Sequence, residues 1–267
     1  MEQQFENTPV NEQRKTSSKL NFLLGIDLMR QVETNKIEII GKEKLEKLPD
    51  NKPIVFITTH LSDTDVPLAS FVLSRYFNIG ITHSSTHNPK ENLGVYLETL
   101  IGGKENFFSV KHKKVNGRET GFFDPNDFIK MQEATKSGKS LIIASSYNAK
   151  DTNPQQIGST IPDNLGYGAV YLAHKIGAIL VPIAVNLKPK EQGGRPESEV
   201  IIGDYLDLPK IELESFDEAI LKEKRLSSEE FVKFKEIKSK LKEESAMVAK
   251  NLASMLPPEK RGKWQTN

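Results

Sequence analysis

From residue 36 onward the apolar positions follow two alternating rhythms. Short β-branched and aliphatic runs at 36–40, 54–58, 78–82, 107–110, 140–144, 179–185 and 200–204 predict strands. Between them, stretches of helical period at 64–77, 91–101, 125–137 and 165–176 predict helices. The sharpest boundary is Asp124-Pro125-Asn126-Asp127, with Asp124 suited to the N-cap, Pro125 to the first helical position and Asp127 three residues after the cap. Gly138 then closes that helix. Residues 228–255 predict a long last helix whose apolar face is Phe231, Phe234, Ile237, Leu241, Val248, Leu252 and Met255. Pro257 and Pro258 stop it.

The first residues differ. Positions 1–16 are sparsely apolar and without period, which predicts a disordered tail. Residues 17–35 predict an N-terminal helical segment, with Ser17 and Ser18 as caps and Leu20, Phe22, Leu23, Leu24, Ile26, Leu28, Met29 and Val32 as its apolar positions. Strand and helix alternating over this length predict an α/β fold. The expected form is a mixed, largely parallel central sheet flanked by helices, with amphipathic helices at the N- and C-terminal ends. One α/β domain spans 36–260, and no internal repeat is evident.

Composition narrows the function classes. Among 267 residues, 37 Lys and Arg face 36 Asp and Glu, a net charge of +1 that gives no global basis for binding nucleic acid. The absence of cysteine excludes disulfides, thiolate metal sites and a Cys nucleophile. The polar N-terminus does not read as a secretory signal, and apolar runs such as 178–185 fall short of the roughly 18 residues a bilayer span needs. A cytoplasmic protein, soluble or resting on a membrane surface, is expected. Residues 222–242 carry eight basic against four acidic side chains beside Phe231 and Phe234. Such a helix either lies on an anionic bilayer as a peripheral contact or packs its stripe on the core.

The segment Ile54-Val-Phe-Ile-Thr-Thr-His60-Leu-Ser-Asp-Thr-Asp65-Val-Pro67 carries the most chemistry. A buried strand runs into a histidine, and an aspartate opens the next helix five positions later. Pro67 is tolerated in that first turn, where backbone N–H groups lack partners. The strand end puts the imidazole at the rim of the sheet, where α/β folds hold ligands. Asp65, folding back, can reach one ring nitrogen and leave the other as a base that deprotonates an alcohol. Two other readings stay open: His60 as a helix cap with Asp65 in an exposed turn, and a metal site of His60, Asp63 and Asp65.

A second feature is basic. Lys111, Lys113, Lys114 and Arg118 add +4 within eight residues, with His112 beside them and no acid until Glu119. Following a strand, the cluster can bind a phosphate or the phosphorylated arm of an acyl carrier; as an isolated run it is a solvated loop. His83 and His87 precede Asn88-Pro89 and read as loop residues. His174, inside an apolar helix, reads as a packed or snorkelling side chain, and Gly193-Gly194-Arg195-Pro196 as a turn rather than a phosphate loop.

The Thr-Thr-His-Leu-Ser-Asp-Thr-Asp stretch resembles the His-x4-Asp signature of the glycerolipid acyltransferase superfamily. Three further matches follow in order. Gly102 to Lys114 resembles the second block, and its Lys111-His112 pair is similar to the basic pair of the soluble, plastid-type glycerol-3-phosphate acyltransferases. Residues 141–151 occupy the third-block position, and Val181-Pro182-Ile-Ala-Val resembles the fourth. The resemblance covers roughly residues 36–205. The third block departs: Ala144-Ser145-Ser146-Tyr147-Asn148-Ala149-Lys150-Asp151 lacks the glycines and arginines of the family, and a lysine does not replace a guanidinium fork.

The resemblance implies transfer of a fatty-acyl group from acyl carrier protein or a CoA thioester to glycerol-3-phosphate or a lysophospholipid. His60 is then the general base and Asp65 its orienting partner. Lys111 and His112, with Lys113 and Lys150, hold phosphate, and Ser146 contributes a hydroxyl. No metal or redox cofactor is implied. Two alternatives of other classes remain, a non-catalytic lipid- or acyl-carrier-binding protein that retains the fold, and a hydrolase using the same pair on an acyl ester.

Overall fold

The computed structural model describes residues 34, 36–62, 64–84, 106–110, 112–115, 118–123, 127–145, 160–161, 165–188, 195–221 and 226–265. In chain order the strands are β1 (Lys36–Ile40), β2 (Ile54–Thr58), β3 (Ile79–Ser84), β4 (Phe107–Val110), β5 (His112–Val115), β6 (Arg118–Phe123), β7 (Ser140–Ala144), β8 (Ile179–Lys188) and β9 (Glu197–Ile202). The helices are α1 (Asp65–Leu73), α2 (Asp127–Lys136), α3 (Gly168–Ile176), α4 (Glu214–Leu221) and α5 (Ser228–Ser254).

Seven strands form one sheet in the order β1-β9-β8-β2-β7-β3-β4. Every neighbouring pair is parallel except β8 with β9, so the expected mixed, largely parallel α/β sheet is present. The sequence explains which strands sit centrally. All of β2 and nine of the ten residues of β8 are buried, the continuous apolar run required of a strand covered on both faces. β1 lies at the edge with alternating exposed and half-buried positions. Pro182 survives inside β8 because of where its missing N–H would point. Its carbonyl accepts from Gly203 on the β9 side, just where that ladder ends at Ile183–Ile202, so almost no pairing is lost.

Two cores cover the two faces. α1 packs Leu68, Ala69, Phe71 and Val72 with Ile54, Phe56, Val181 and Ile183. On the other face α2, α3, α4 and α5 bury Phe128, Met131, Leu172, Phe216 and Leu241 over Val55, Ile57, Leu180 and Ala184. The path from β2 therefore leaves toward one face through α1, while β7 connects to β8 through α3 on the other. Adjacent parallel strands with oppositely directed exits make the crevice between their carboxyl ends a topological switch point.

Several expected boundaries move. β9 begins three residues before the expected 200 because Glu197, Ser198 and Glu199, polar in sequence, pair with β1 and β8 near the sheet edge. α1 ends at Leu73, and Ser74–Phe77 continue as hydrogen-bonded turns. The antiparallel β5–β6 hairpin and α4 are additions that no apolar period announced. Gly138 does terminate α2, in the left-handed region at φ 84°. The long helix α5 opens with a capping box between Ser227 and Glu230. Its stripe packs on the core, with Phe234 stacked on Phe216 at 4.9 Å, but Phe231 is 47 % exposed and is not part of that face. The proposed tail, the 17–35 helix apart from Thr34, which is not helical, and the 91–101 helix lie outside the described residues. No described helix is long and apolar enough to cross a membrane.

Candidate functional site

The site is built where β2 ends. Beyond Thr58 the chain still pairs with its neighbours: the Thr59 N–H donates to the Ile183 carbonyl, and Ser145 N–H donates to the Thr58 carbonyl. This holds residues 58–60 rigidly between the ends of β8 and β7, and His60 comes to the rim of the switch-point crevice, half-buried. Pro67 occupies the third position of α1, where no helical carbonyl precedes it to accept a hydrogen bond.

Asp65 is the first residue of α1 and is 1 % exposed. Its Oδ2 accepts from the Leu61 N–H at 2.9 Å and its Oδ1 from the Ser62 hydroxyl at 2.6 Å. The Thr59 hydroxyl also stabilises the carboxylate, and the charge of His60 acts on it. Burial outweighs these and raises the Asp65 carboxyl above the ordinary carboxylate range. The geometry corrects one expectation. Asp65 is not in an exposed turn, and instead of the expected bond to a ring nitrogen of His60 its oxygens accept from Leu61, Ser62 and Thr59 of the β2–α1 turn itself. Its influence on the imidazole is therefore exerted through charge, while the turn it ties fixes where His60 stands.

Four other groups belong to this rim and had no signal in the sequence. The Thr59 hydroxyl accepts from the Val185 N–H at 3.0 Å while facing Asp65. The Thr58 and Ser145 hydroxyls are buried with no hydrogen-bond partner among the described residues, an uncommon state for side chains at a strand end. Lys260, beyond the last long helix, is 7 % exposed and donates to the Asn186 Oδ1 at 2.8 Å and the Leu187 carbonyl at 2.9 Å, at the end of β8. Lys260 is some two hundred positions from His60, so nothing local in the sequence joins them.

The remaining candidates divide. Lys111, Ser146 and Lys150 lie outside the described residues. The backbones of His112, Lys113 and Lys114 form β5, in register with β6 as His112–Phe123 and Lys114–Glu119. This hairpin follows β4, whose carboxyl end is on the same edge of the sheet as His60, but three strands from β2. At about 4.8 Å per strand that is roughly 14 Å along the rim. His83 is a β3 strand residue rather than part of a loop. His174 is packed, as expected, with its Nε2 2.6 Å from the Glu244 Oε2. Asp63 lies outside the described residues, and among those described no three His, Asp or Glu side chains converge as metal ligands would.

No protein-family model matches this chain, and no curated protein matches it.

Proposed function

We propose that this chain is an O-acyltransferase that moves a fatty-acyl group from a thioester to the hydroxyl of a glycerol-derived acceptor. One observation carries the reading: a histidine just past the carboxyl end of a central strand, at the switch-point crevice, with a buried aspartate opening the next helix and feeling the charge of that histidine. His60 takes the acceptor's hydroxyl proton as the oxygen attacks the thioester carbon. The new O–C bond forms, the C–S bond breaks, and the proton passes from His60 to the departing thiolate. The positive imidazole formed meanwhile is stabilised by the Asp65 charge.

The basic hairpin supplies cations for a phosphorylated group on the same edge. β4, the strand that leads into it, ends three strands from β2, which exceeds a glycerol phosphate and suits the extended arm of an acyl carrier protein or CoA; the acceptor phosphate is its other candidate. The acceptor is glycerol-3-phosphate or a lysophospholipid, and any membrane contact is peripheral. The test is transfer of radiolabel from acyl-CoA and from acyl carrier protein to glycerol-3-phosphate and to lysophosphatidic acid, with His60→Ala alongside. Labelled lipid that disappears in the variant supports the reading. Release of free fatty acid alone identifies a hydrolase, and folded protein that binds acyl carrier without turnover identifies a binding protein.

A further inference from the structure

Lys260 is a buried cation that the proposed chemistry does not use. The segment that carries it is held from three sides. Ile161 N–H donates to the Lys260 carbonyl at 2.9 Å, and the Arg261 Nε donates to the Leu256 carbonyl at 2.7 Å. Gly262 adopts φ +58°, and a Cβ there would lie 2.8 Å from the Ile161 carbonyl oxygen. Only glycine allows so close a passage. The chain after α5 is thus strapped across the end of β8, and the strap drives the ammonium inward.

A lysine with its ammonium removed from water is costly unless charge compensates it. Neither atom that accepts its hydrogen bonds, an amide oxygen and a backbone carbonyl, carries a charge. The acidic groups that pull on Lys260 are Asp65 first, then Glu259 on its own segment and Glu199 on β9. Glu199 is already engaged by Asn186 and Lys188, and Glu259 is exposed. Asp65 is the buried one. The path between them is short and bonded: Lys260 holds Asn186, the preceding residue Val185 donates to Thr59, and the Thr59 hydroxyl supports Asp65.

We infer that Lys260 is a positioning residue of the candidate site: the C-terminal strap brings it to the end of β8, joined through Asn186 and Val185 to Thr59, where its charge favours the ionised form of the Asp65 carboxyl. The inference deepens the acyltransferase reading and rests on it for its consequence in catalysis, although the charge coupling can be measured without any activity. From β2 the charged group facing Asp65 is His60, and from the strap it is Lys260.

The experiment follows the Asp65 carboxyl carbon by NMR across pH in the full chain, in the wild type, Lys260→Met and Lys260→Arg. Loss of the cation is expected to raise the Asp65 midpoint by about half a unit or more, and arginine to restore most of it. A second measurement covers a Lys260→Met that does not fold: the Lys260 Cε titration in the wild type and in Asp65→Asn, where linkage requires an equal and opposite shift, downward for the lysine. Unchanged midpoints in folded variants, with only a lower melting temperature, would make Lys260 a structural anchor and overturn the inference. In the transfer assay Lys260→Met should move the acid limb of the kcat profile upward in pH by the same shift, with KM unaltered. Coupled titrations in a protein without transferase activity would sink the function and leave the pairing intact.

Discussion

Two buried polar clusters in this protein are arranged to opposite ends. Between α3, α4 and α5, Tyr171 donates to the Asp217 Oδ1 at 2.6 Å, Lys175 pairs with the other oxygen, and His174 meets Glu244. Each acid there has a named donor, and three helices are tied together. At the β2 rim the acid is fully buried and held above its ordinary range, Lys260 is held below its own by burial, and two hydroxyls lack described partners. The first cluster uses polarity to fix architecture; the second keeps polarity that architecture alone does not need. Buried charges whose ionised forms burial opposes, beside hydroxyls without described partners, are the physical mark of a site when they gather at a crevice.

The contrast can be broken most sharply at His60. In the transfer assay His60→Ala should lower kcat by about 10²–10⁴-fold, the range of a positioned general base, with little change in melting temperature. Retained turnover would remove the rim from the chemistry. Asp65→Asn comes next, because an amide nitrogen cannot accept from both Leu61 and Ser62; a loss of about 10²-fold in kcat is expected.

The same aspartate predicts a pH signature. Its carboxyl is raised on folding, so the folded state binds the proton more tightly, and ionising Asp65 costs stability as pH rises from its unfolded value through its raised one. Across that window, guanidinium midpoints should fall more steeply with pH in the wild type than in Asp65→Asn. Parallel curves would mean that Asp65 is not raised.

The helical cluster should answer in stability instead. His174→Leu leaves the 12 % exposed Glu244 without its partner and should cost about 1–3 kcal/mol in denaturant unfolding, with kcat unchanged. A kinetic effect would erase the distinction between the clusters. The smallest effect is expected from Lys111→Ala, about a 10-fold rise in KM with kcat preserved, because one cation is removed from ground-state binding. Whether the KM that rises belongs to donor or acceptor tells which phosphate the hairpin serves.

Much of the fold was legible. The strands at 36–40, 54–58, 107–110 and 140–144 coincide with β1, β2, β4 and β7, because a buried strand writes its environment directly as an apolar run. The β5–β6 hairpin was not legible, since its lysines and histidine give no alternation, and neither was the early start of β9, where polar residues pair at an edge. At the site, His60 and Asp65 were visible because five residues of one chain make a turn. Thr59 and Asn186 were not, because their partners are on other strands. Gly262, at the far end of the chain, gave no hint that its missing side chain permits the strap.

By itself the sequence determined the α/β class, the buried character of β2, and the histidine and aspartate that bracket the β2–α1 turn. These depend on hydrophobic period and near-neighbour geometry, which act over a few residues. The tertiary structure alone decided that β7 lies beside β2 with its exit on the opposite face, that Asp65 is buried, and that Lys260 is folded in at the end of β8. Burial and charge coupling depend on which distant segments come together, and no local pattern encodes that.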